Sequence, residues 1–380
     1  MMSSYFSSLY VHVPFCMKKC RYCSFYSVKW SEEVEQVFIK SILREIKLCS
    51  ELPHLFETVY VGGGTPSSMR PKTLEMLLKS LVTNFRFASG LEFSIEINPA
   101  TVNLEKMNIM RDFGVNRISI GVQSFKDEEL SLLGRMHSSK AAIDTIGLVI
   151  RSGFENISID LMYAIPFQTV ESWMNSLKMA TSLKISHVSI YELTLEENTL
   201  LFKDLYSGKV SLPPEKDIVQ MYLSGTEFLE SKGLIKYEIS NFAKKGFECR
   251  HNNNYWQRKP YLGIGPSAHS FNGKERFHNP SDLLKYSAIL KYNSLMHIID
   301  YRVDAKESLK EKVFLGLRTT DGVVLDSECL LNFFRVFEEE NLVKIVGKRV
   351  FLTDKGMMIS NELFVEALLH IENCPVCKQE

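Results

Sequence analysis

The sequence predicts an α/β protein organised around a parallel sheet, and three features of residue order carry that prediction. Short β-rich segments alternate with longer helical ones through the first half of the chain, the alternation stops after Tyr206, and beyond about residue 305 helices give way to a short hairpin. The expected strands are Ser8 to Val13, Thr58 to Gly62, Glu92 to Ile97, Arg117 to Val122, Asn156 to Met162 and His187 to Glu192. Between them run stretches of helical periodicity such as Glu32 to Leu48 and Pro71 to Phe85, so the order reads βα six times. Alternation of this kind builds a parallel sheet. Taken alone it fits an open doubly wound sheet as well as a closed or partial barrel.

Residues 1–205 form this core. In 206–304 a helix at Glu215 to Ser231 leads into a polar, aromatic-rich stretch from Tyr237 to Asn279, expected as an accessory layer. Residues 305–380 read as helices around a hairpin, Leu342 to Val346 and Arg349 to Thr353 joined by Gly347-Lys348, then a last helix through Leu369. That pattern predicts a small winged-helix-like domain. Its wing offers only Lys348, Arg349 and Lys355, which suits packing or partner contact better than nucleic acid.

Composition narrows the class. At roughly 150 residues per domain, 380 residues make two or three units with a substantial core. With 45% hydrophobic and 24% charged residues the chain is neither disordered nor fibrous. Lys plus Arg (45) minus Asp plus Glu (45) is zero, so no net field draws it to nucleic acid or anionic lipid. Residues 1–17 carry no Lys, Arg, Asp or Glu, hence no basic start to an export signal, and no stretch approaches the roughly 18 apolar residues of a membrane span. A cytoplasmic protein that meets membranes only through partners is expected. Eight cysteines are too sparse for a disulfide scaffold, which makes their spacing the informative quantity.

Cys16-Met-Lys-Lys-Cys20-Arg-Tyr-Cys23 follows the first strand directly. One loop can wrap these three thiolates around a single inorganic centre. Structural zinc needs four protein ligands, and no fourth follows at zinc spacing. An iron-sulfur cubane with three cysteines keeps one iron open. Core filling is a poor explanation, because Lys18, Lys19 and Arg21 lie between the thiols.

The Cys-x-x-x-Cys-x-x-Cys loop resembles that of the radical S-adenosylmethionine superfamily. The resemblance implies a partial (β/α)6 TIM-like barrel with a [4Fe-4S] cluster at the carboxyl ends of its strands. It also implies that the open iron binds the amino and carboxylate groups of S-adenosylmethionine, and that an electron from a low-potential donor yields a 5'-deoxyadenosyl radical. Later strands present suitable groups at that rim: Gly62-Gly63-Gly64-Thr65-Pro66 after the second, Glu96 ending the third, Gln123 ending the fourth and Asp160 near the end of the fifth. Any one of them alone is better explained as a tight turn or a satisfied structural acid.

Tyr10-Val-His12-Val-Pro14-Phe15-Cys16, Gly114-Val-Asn-Arg117-Ile-Ser-Ile-Gly-Val-Gln123-Ser-Phe125 and Asp160-Leu-Met-Tyr-Ala-Ile-Pro166 are similar to the oxygen-independent coproporphyrinogen oxidase group. Residue by residue, that likeness implies S-adenosylmethionine contacts at Tyr10, Tyr22, Gly63, Gly64, Thr65, Glu96, Gln123, Arg135 and Asp160. The dehydrogenases of the group carry a fourth cysteine two residues after the third, and a longer amino-terminal arm. Phe25 stands at that position here, and few residues precede the first strand. Arg250-His251-Asn252-Asn253-Asn254-Tyr255-Trp256 instead resembles the His-Asn-x-x-Tyr-Trp signature of the haem-chaperone branch. That branch implies haem as cargo, delivery to respiratory haemoproteins, and His251 as the haem ligand, with His12, His137 and His269 as alternatives. A surface loop is the plainer reading of a His-Asn-Asn run.

Two function classes follow: a haem chaperone on a radical S-adenosylmethionine fold, or an oxidase that decarboxylates coproporphyrinogen III to protoporphyrinogen IX. Phe25 and the His251 motif favour the chaperone. Monomer and dimer are both compatible with the sequence. Gly263-Ile-Gly265-Pro-Ser-Ala268 imitates a dinucleotide fingerprint outside its required context. Cys374-Pro-Val-Cys377 with His370 is short of a zinc site and reads as a frayed tail, while Cys49, Cys249 and Cys329 read as isolated structural cysteines.

Overall fold

The computed structural model describes residues 5–295 and 297–374. Strand β1 (Phe6–Val13) is followed by β2 (Phe15–Cys16) and β3 (Val28–Lys29), which pair with each other and close the base of the cysteine loop. The βα order then runs α1 (Glu32–Cys49), β4 (His54–Gly63), α2 (Pro71–Asn84), β5 (Phe87–Ile97), α3 (Leu104–Asp112) and β6 (Arg117–Gln123). It continues through α4 (Asp127–Leu133), α5 (Ser139–Arg151), β7 (Asn156–Tyr163), α6 (Val170–Ser182) and β8 (His187–Glu192). Strands β1, β4, β5, β6, β7 and β8 lie side by side in that order, all parallel. This is the six-unit alternation the sequence predicts.

Local chemistry starts and stops the helices. Ser31 caps α1 by accepting from the Val34 N–H, with Glu32, Glu33 and Glu35 in the positively polarised first turn. Pro71 opens α2, and Thr169 and Ser172 form a reciprocal capping box on α6. Gly134 ends α4 at φ 75°.

The barrel strands have two different faces. Leu9, Val11, Val59, Val61, Phe93, Ile95, Ile118, Ile120, Ile159 and Val188 are fully buried in one core with helix residues such as Phe38, Ile42, Leu77, Ile146 and Leu177. The intervening residues face one another across the lumen and are largely polar: Ser8, Tyr10 and His12; Thr58 and Tyr60; Glu92, Ser94 and Glu96; Arg117 and Ser119; Ser158 and Asp160; His187 and Ser189.

After α7 (Leu200–Tyr206) and α8 (Glu215–Ser231), the segment expected as an accessory layer extends the same sheet at both edges. Short β9 (Ile235–Lys236) and β10 (Asn241–Ala243) continue it beyond β8. Past α9 (Arg250–Trp256), strand β11 (Tyr261–Ile264) adds in parallel to β1, and β12 (His269–Phe271), β13 (Glu275–His278) and, beyond α10 (Leu283–Lys291), β14 (Ile298–Arg302) follow antiparallel. Open edges of β1 and β8 would leave rows of unpaired backbone groups, and these additions satisfy them.

The carboxyl-terminal unit comprises α11 (Ala305–Leu317), β15 (Val323–Val324), α12 (Glu328–Glu339), β16 (Val343–Val346), β17 (Arg349–Leu352), α13 (Asp354–Met358) and α14 (Ser360–Asn373). The expected hairpin forms with Gly347 at φ 61°, and β15 joins it in a three-stranded sheet. Two cysteine expectations change. Cys329 is not isolated, because its Sγ lies 3.0 Å from that of Cys374, and Cys374 caps α14 rather than fraying. Cys377 lies outside the described residues. Among the described residues no helix is long and apolar enough to cross a membrane.

Candidate functional site

The cysteine loop is pinned from outside by its own arginine. The Arg21 N–H donates to the Leu133 carbonyl at 3.0 Å, its guanidinium pairs with Asp204, and its carbonyl accepts from the Leu201 N–H at 2.8 Å. Those contacts tie Arg21, between Cys20 and Cys23, to the end of α4 and the first turns of α7. Cys16, Cys20 and Cys23 are half-buried and form no disulfide. Burial raises the pKa of the Cys16 and Cys23 thiols, and the charge on Cys20 raises both further. Three thiols that repel one another's ionised forms suit a shared cation.

Arg135 approaches this loop from behind Gly134. Its Nη1 lies 3.4 Å from Cys20 Sγ and its Nη2 donates to the Gly121 carbonyl at 2.5 Å. Its buried Nε has no partner among the described residues. A guanidinium held at one end with a donor left over is shaped to fork onto a carboxylate. Tyr22 is close enough to be perturbed by this guanidinium, though burial is what chiefly pushes its phenol upward.

The glycine turn after β4 is required by close approach. A Cβ on Gly63, at φ 110°, would meet the His12 ring at 2.7 Å, and one on Gly64 would meet the Phe15 carbonyl oxygen at 2.4 Å. Backbone here therefore lies directly against the start of the cysteine loop. Thr65 Oγ1 sits 3.8 Å from Cys16 Sγ. Glu96 accepts from Tyr60 Oη at 2.8 Å and from the Gly63 N–H at 3.2 Å, and burial pushes its carboxyl up to about 7. Asp160 accepts from Ser119 Oγ at 3.3 Å and is also raised by burial. Gln123 ends β6 in a left-handed conformation, φ 70°, where the register with β7 shifts. Tyr10 Oη meets His12 Nδ1 at 3.0 Å. Of the residues singled out for S-adenosylmethionine, Thr65 and Arg135 approach the thiols directly, and Gly63, Gly64, Glu96 and Gln123 lie at or beside the carboxyl ends of their strands.

His251 is placed otherwise than the haem-ligand expectation requires. It is 1% exposed, its Nδ1 is 2.8 Å from Thr58 Oγ1, and its Nε2 is 2.8 Å from Tyr255 Oη. Its ring stacks on Tyr60 with centroids 5.2 Å apart. Glu92 accepts from the N–H groups of Arg250 and His251, both at 2.9 Å, and Asn254 Nδ2 donates to Ser8 Oγ at 2.7 Å. Helix α9 is therefore a polar plug in the lumen, and His251 has both ring nitrogens engaged. Of the alternatives, His12 lies between Tyr10 Oη and the Tyr26 carbonyl and is pushed down to about 4 by burial. His137 is likewise buried, with Nε2 3.1 Å from the Val122 carbonyl. His269 is exposed, 3.3 Å from Asp300 and beside His278.

His269 borders a cavity of about 510 Å³ that Tyr10, His12, Phe25, Tyr26, Tyr255, Trp256, Tyr261, Phe271 and Phe314 line with flat faces. Arg258, Lys259 and Arg276 supply cationic groups, the two arginines braced by Glu311. Trp256 Nε1 is buried without a partner among the described residues. Of this cluster, sequence reading singled out Tyr10, His12, Tyr255, Trp256 and His269 and missed Arg258, Lys259, Tyr261, Phe271, Arg276 and Phe314; it also gave no role to Tyr60, Arg117 and Ser119. The dinucleotide-like glycines are accounted for differently: Gly263 is inside β11, and the Gly265 N–H donates to Glu45 at 2.7 Å.

Residues 10–180 match the Radical SAM superfamily. The Heme chaperone HemW of Bacillus subtilis (strain 168) is 33% identical across 94% of this chain and 98% of that protein. The chain belongs to the HemW family. Its relatives include the mitochondrial radical S-adenosyl methionine domain-containing protein 1 of Danio rerio, 32% identical over 94% of this chain and 84% of that one. Among solved structures, the coproporphyrinogen III oxidase HemN of Escherichia coli superposes with a TM-score of 0.82, covering 97% of this chain and 90% of that one. At 22% identity that likeness is one of fold, and it is the partial-barrel fold with a carboxyl-terminal domain that the sequence resemblance implied. Superfamily membership implies a [4Fe-4S] cluster and S-adenosylmethionine, and the thiol triplet with its orphaned Arg135 nitrogen fits both.

Proposed function

We propose that this HemW-family chain binds haem in the cavity beside His269 and passes it to haem-requiring proteins. One observation carries the reading: a cavity with mainly aromatic walls, three cationic groups, an accessible imidazole and an unpartnered indole N–H. Flat apolar faces suit a porphyrin, Arg258, Lys259 and Arg276 suit its carboxylates, and imidazole suits its iron. The names of the relatives in Bacillus subtilis and Lactococcus lactis support the same cargo. Recipients in the respiratory chain and a low-potential electron donor complete the proposal.

Cys16, Cys20 and Cys23 would hold the cluster, with S-adenosylmethionine against Tyr10, Tyr22, Gly63, Gly64, Thr65, Glu96, Gln123, Arg135 and Asp160. Bound together, the two groups supply one-electron chemistry. The chain's own contribution is to orient: Arg135 meets a carboxylate, the Gly63-Gly64 backbone admits the ligand, and Glu96 and Asp160 accept from its hydroxyl or amino groups. Phe25, 71% exposed where the dehydrogenases carry a cysteine, favours cargo handling over coproporphyrinogen oxidation.

Haem titration tests the assignment. Wild-type protein should give a shifted Soret band, and His269→Ala should lose most of it. An unaltered band in His269→Ala would move the ligand elsewhere. Protoporphyrinogen formation from coproporphyrinogen with S-adenosylmethionine and a reductant, above that of a chain lacking the three cluster cysteines, would select the oxidase.

A further inference from the structure

The carboxyl-terminal unit brings together a second group of metal-ligating side chains, remote from the barrel rim in sequence and built on different elements. Cys329 lies in the first turn of α12, His370 in the last turn of α14, and Cys374 at its C-cap. Cys329 Sγ is 3.2 Å from His370 Nε2 and 3.0 Å from Cys374 Sγ, and all three donor atoms lie within 4.8 Å of one another. Each is half-buried. We propose that Cys329, His370 and Cys374 hold a zinc ion, three protein ligands with the fourth tetrahedral position left to a further donor.

Several features converge on this. The i, i+4 spacing of His370 and Cys374 puts both on one face of the helix end, and the Cys374 N–H donates to the His370 carbonyl at 2.9 Å, which fixes that last turn. Phe333, one turn on from Cys329, stacks on the His370 imidazole with centroids 4.5 Å apart and planes at 27°. That contact sets the ring's orientation with Nε2 directed at Cys329. The carboxyl end of a helix also favours a nearby cation.

Dimensions fit a small tetrahedral ion. With Zn–S about 2.3 Å and Zn–N about 2.0 to 2.1 Å, tetrahedral edges are about 3.8 Å between sulfurs and about 3.5 Å from sulfur to nitrogen. The observed 3.0 and 3.2 Å open to these values with side-chain shifts of less than about 1 Å. A Cys329–Cys374 disulfide would use two of these groups and give the oriented imidazole no part. Cys374-Pro-Val-Cys377 has the Cys-x-x-Cys spacing usual in structural zinc sites. Such an ion would clamp the end of α14 to the start of α12, next to the point where Lys306 and Lys310 of α11 pair with Glu372.

Metal analysis of the full chain with Cys16, Cys20 and Cys23 all changed to Ala separates this site from the cluster site. Purified under reducing conditions, that protein should contain about one zinc per chain, as a single tetrahedral site requires. Cobalt(II) in its place should give thiolate charge-transfer and tetrahedral ligand-field bands. Adding Cys329→Ser and Cys374→Ser should remove both the zinc and the bands, with far-ultraviolet circular dichroism showing that the chain still folds. A strong chelator should lower the unfolding temperature of the parent but not of the Cys329→Ser protein. The proposal fails if the cluster-free chain holds no zinc, or if zinc persists after both serine changes. A Cys329–Cys374 disulfide found by mass spectrometry in the reduced preparation would also overturn it.

Discussion

Replacing His251 by alanine should damage the fold and leave haem iron coordination intact, the reverse of what an axial ligand would show. The substitution removes hydrogen bonds at 2.8 Å to Thr58 and to Tyr255 and the stacking on Tyr60, all inside the lumen. A buried hydroxyl stripped of its partner costs about 1 to 3 kcal/mol. Thr58 keeps a long contact of 3.5 Å from Asn254, so its share falls at the low end. The sum, near 4 kcal/mol with the vacated ring volume included, is a large part of a typical stability of about 5 to 15 kcal/mol. Urea unfolding of the protein before cluster insertion measures it. The pH dependence adds a second reading. Burial pushes the His251 imidazole down to about 3 from its usual 6.5, so the unfolded chain takes up a proton there that the folded chain refuses. As pH falls from 6.5 towards 3, wild type loses stability that a His251→Gln chain does not lose. Their difference should shrink by about 2 to 3 kcal/mol at about pH 4.5, from 1.36 kcal/mol per pH unit. Unchanged stability in His251→Ala together with a lost Soret shift would refute the plug and restore His251 as ligand.

Three further outcomes are expected. Changing Cys16, Cys20 and Cys23 together to Ala should abolish reconstitution of about four irons and four sulfides per chain, checked by iron and sulfide analysis. Arg135→Ala or Asp160→Ala should spare the cluster and weaken S-adenosylmethionine about tenfold or more in a titration, since a charge-assisted contact contributes roughly 1.5 to 3 kcal/mol. Gly64→Ala should impair cluster loading without touching any thiol, because its Cβ would lie 2.4 Å from the Phe15 carbonyl oxygen; iron content comparable to wild type would contradict this.

The six βα units were legible because their strands announce themselves, but only the resemblance of the cysteine loop made a barrel of them and so let Glu96, Gln123 and Asp160, at or near strand ends, be set at one rim before any geometry was known. The lumen was equally available. Ser-Leu-Tyr-Val-His from Ser8, Thr-Val-Tyr-Val from Thr58, Glu-Phe-Ser-Ile-Glu from Glu92 and Arg-Ile-Ser-Ile from Arg117 all alternate strictly, a period of two that predicts a polar face opposite an apolar one. What that pattern could not disclose was the occupant. His251 lies 193 residues from Thr58, and only tertiary structure pairs them. Cys329 escaped notice for the same reason, being 45 residues from Cys374. The sheet's added edges were obscured by brevity: β9 and β10 are two and three residues long and carry no usable periodicity.

The plug also imposes an order on biosynthesis. Ser8 leaves the ribosome 246 residues before its partner Asn254, and Thr58 and Glu92 precede His251 by 193 and 159 residues. Until then the six core strands surround a lumen of polar groups that nothing yet closes from α9, while the thiols near residue 20 and the arginine at 135 have long been synthesised. A nascent chain that stops before α9 should therefore be an aggregation-prone half-product, and long-range closure of this sort is slow. Barrel completion is thus deferred to a helix that belongs to no barrel unit.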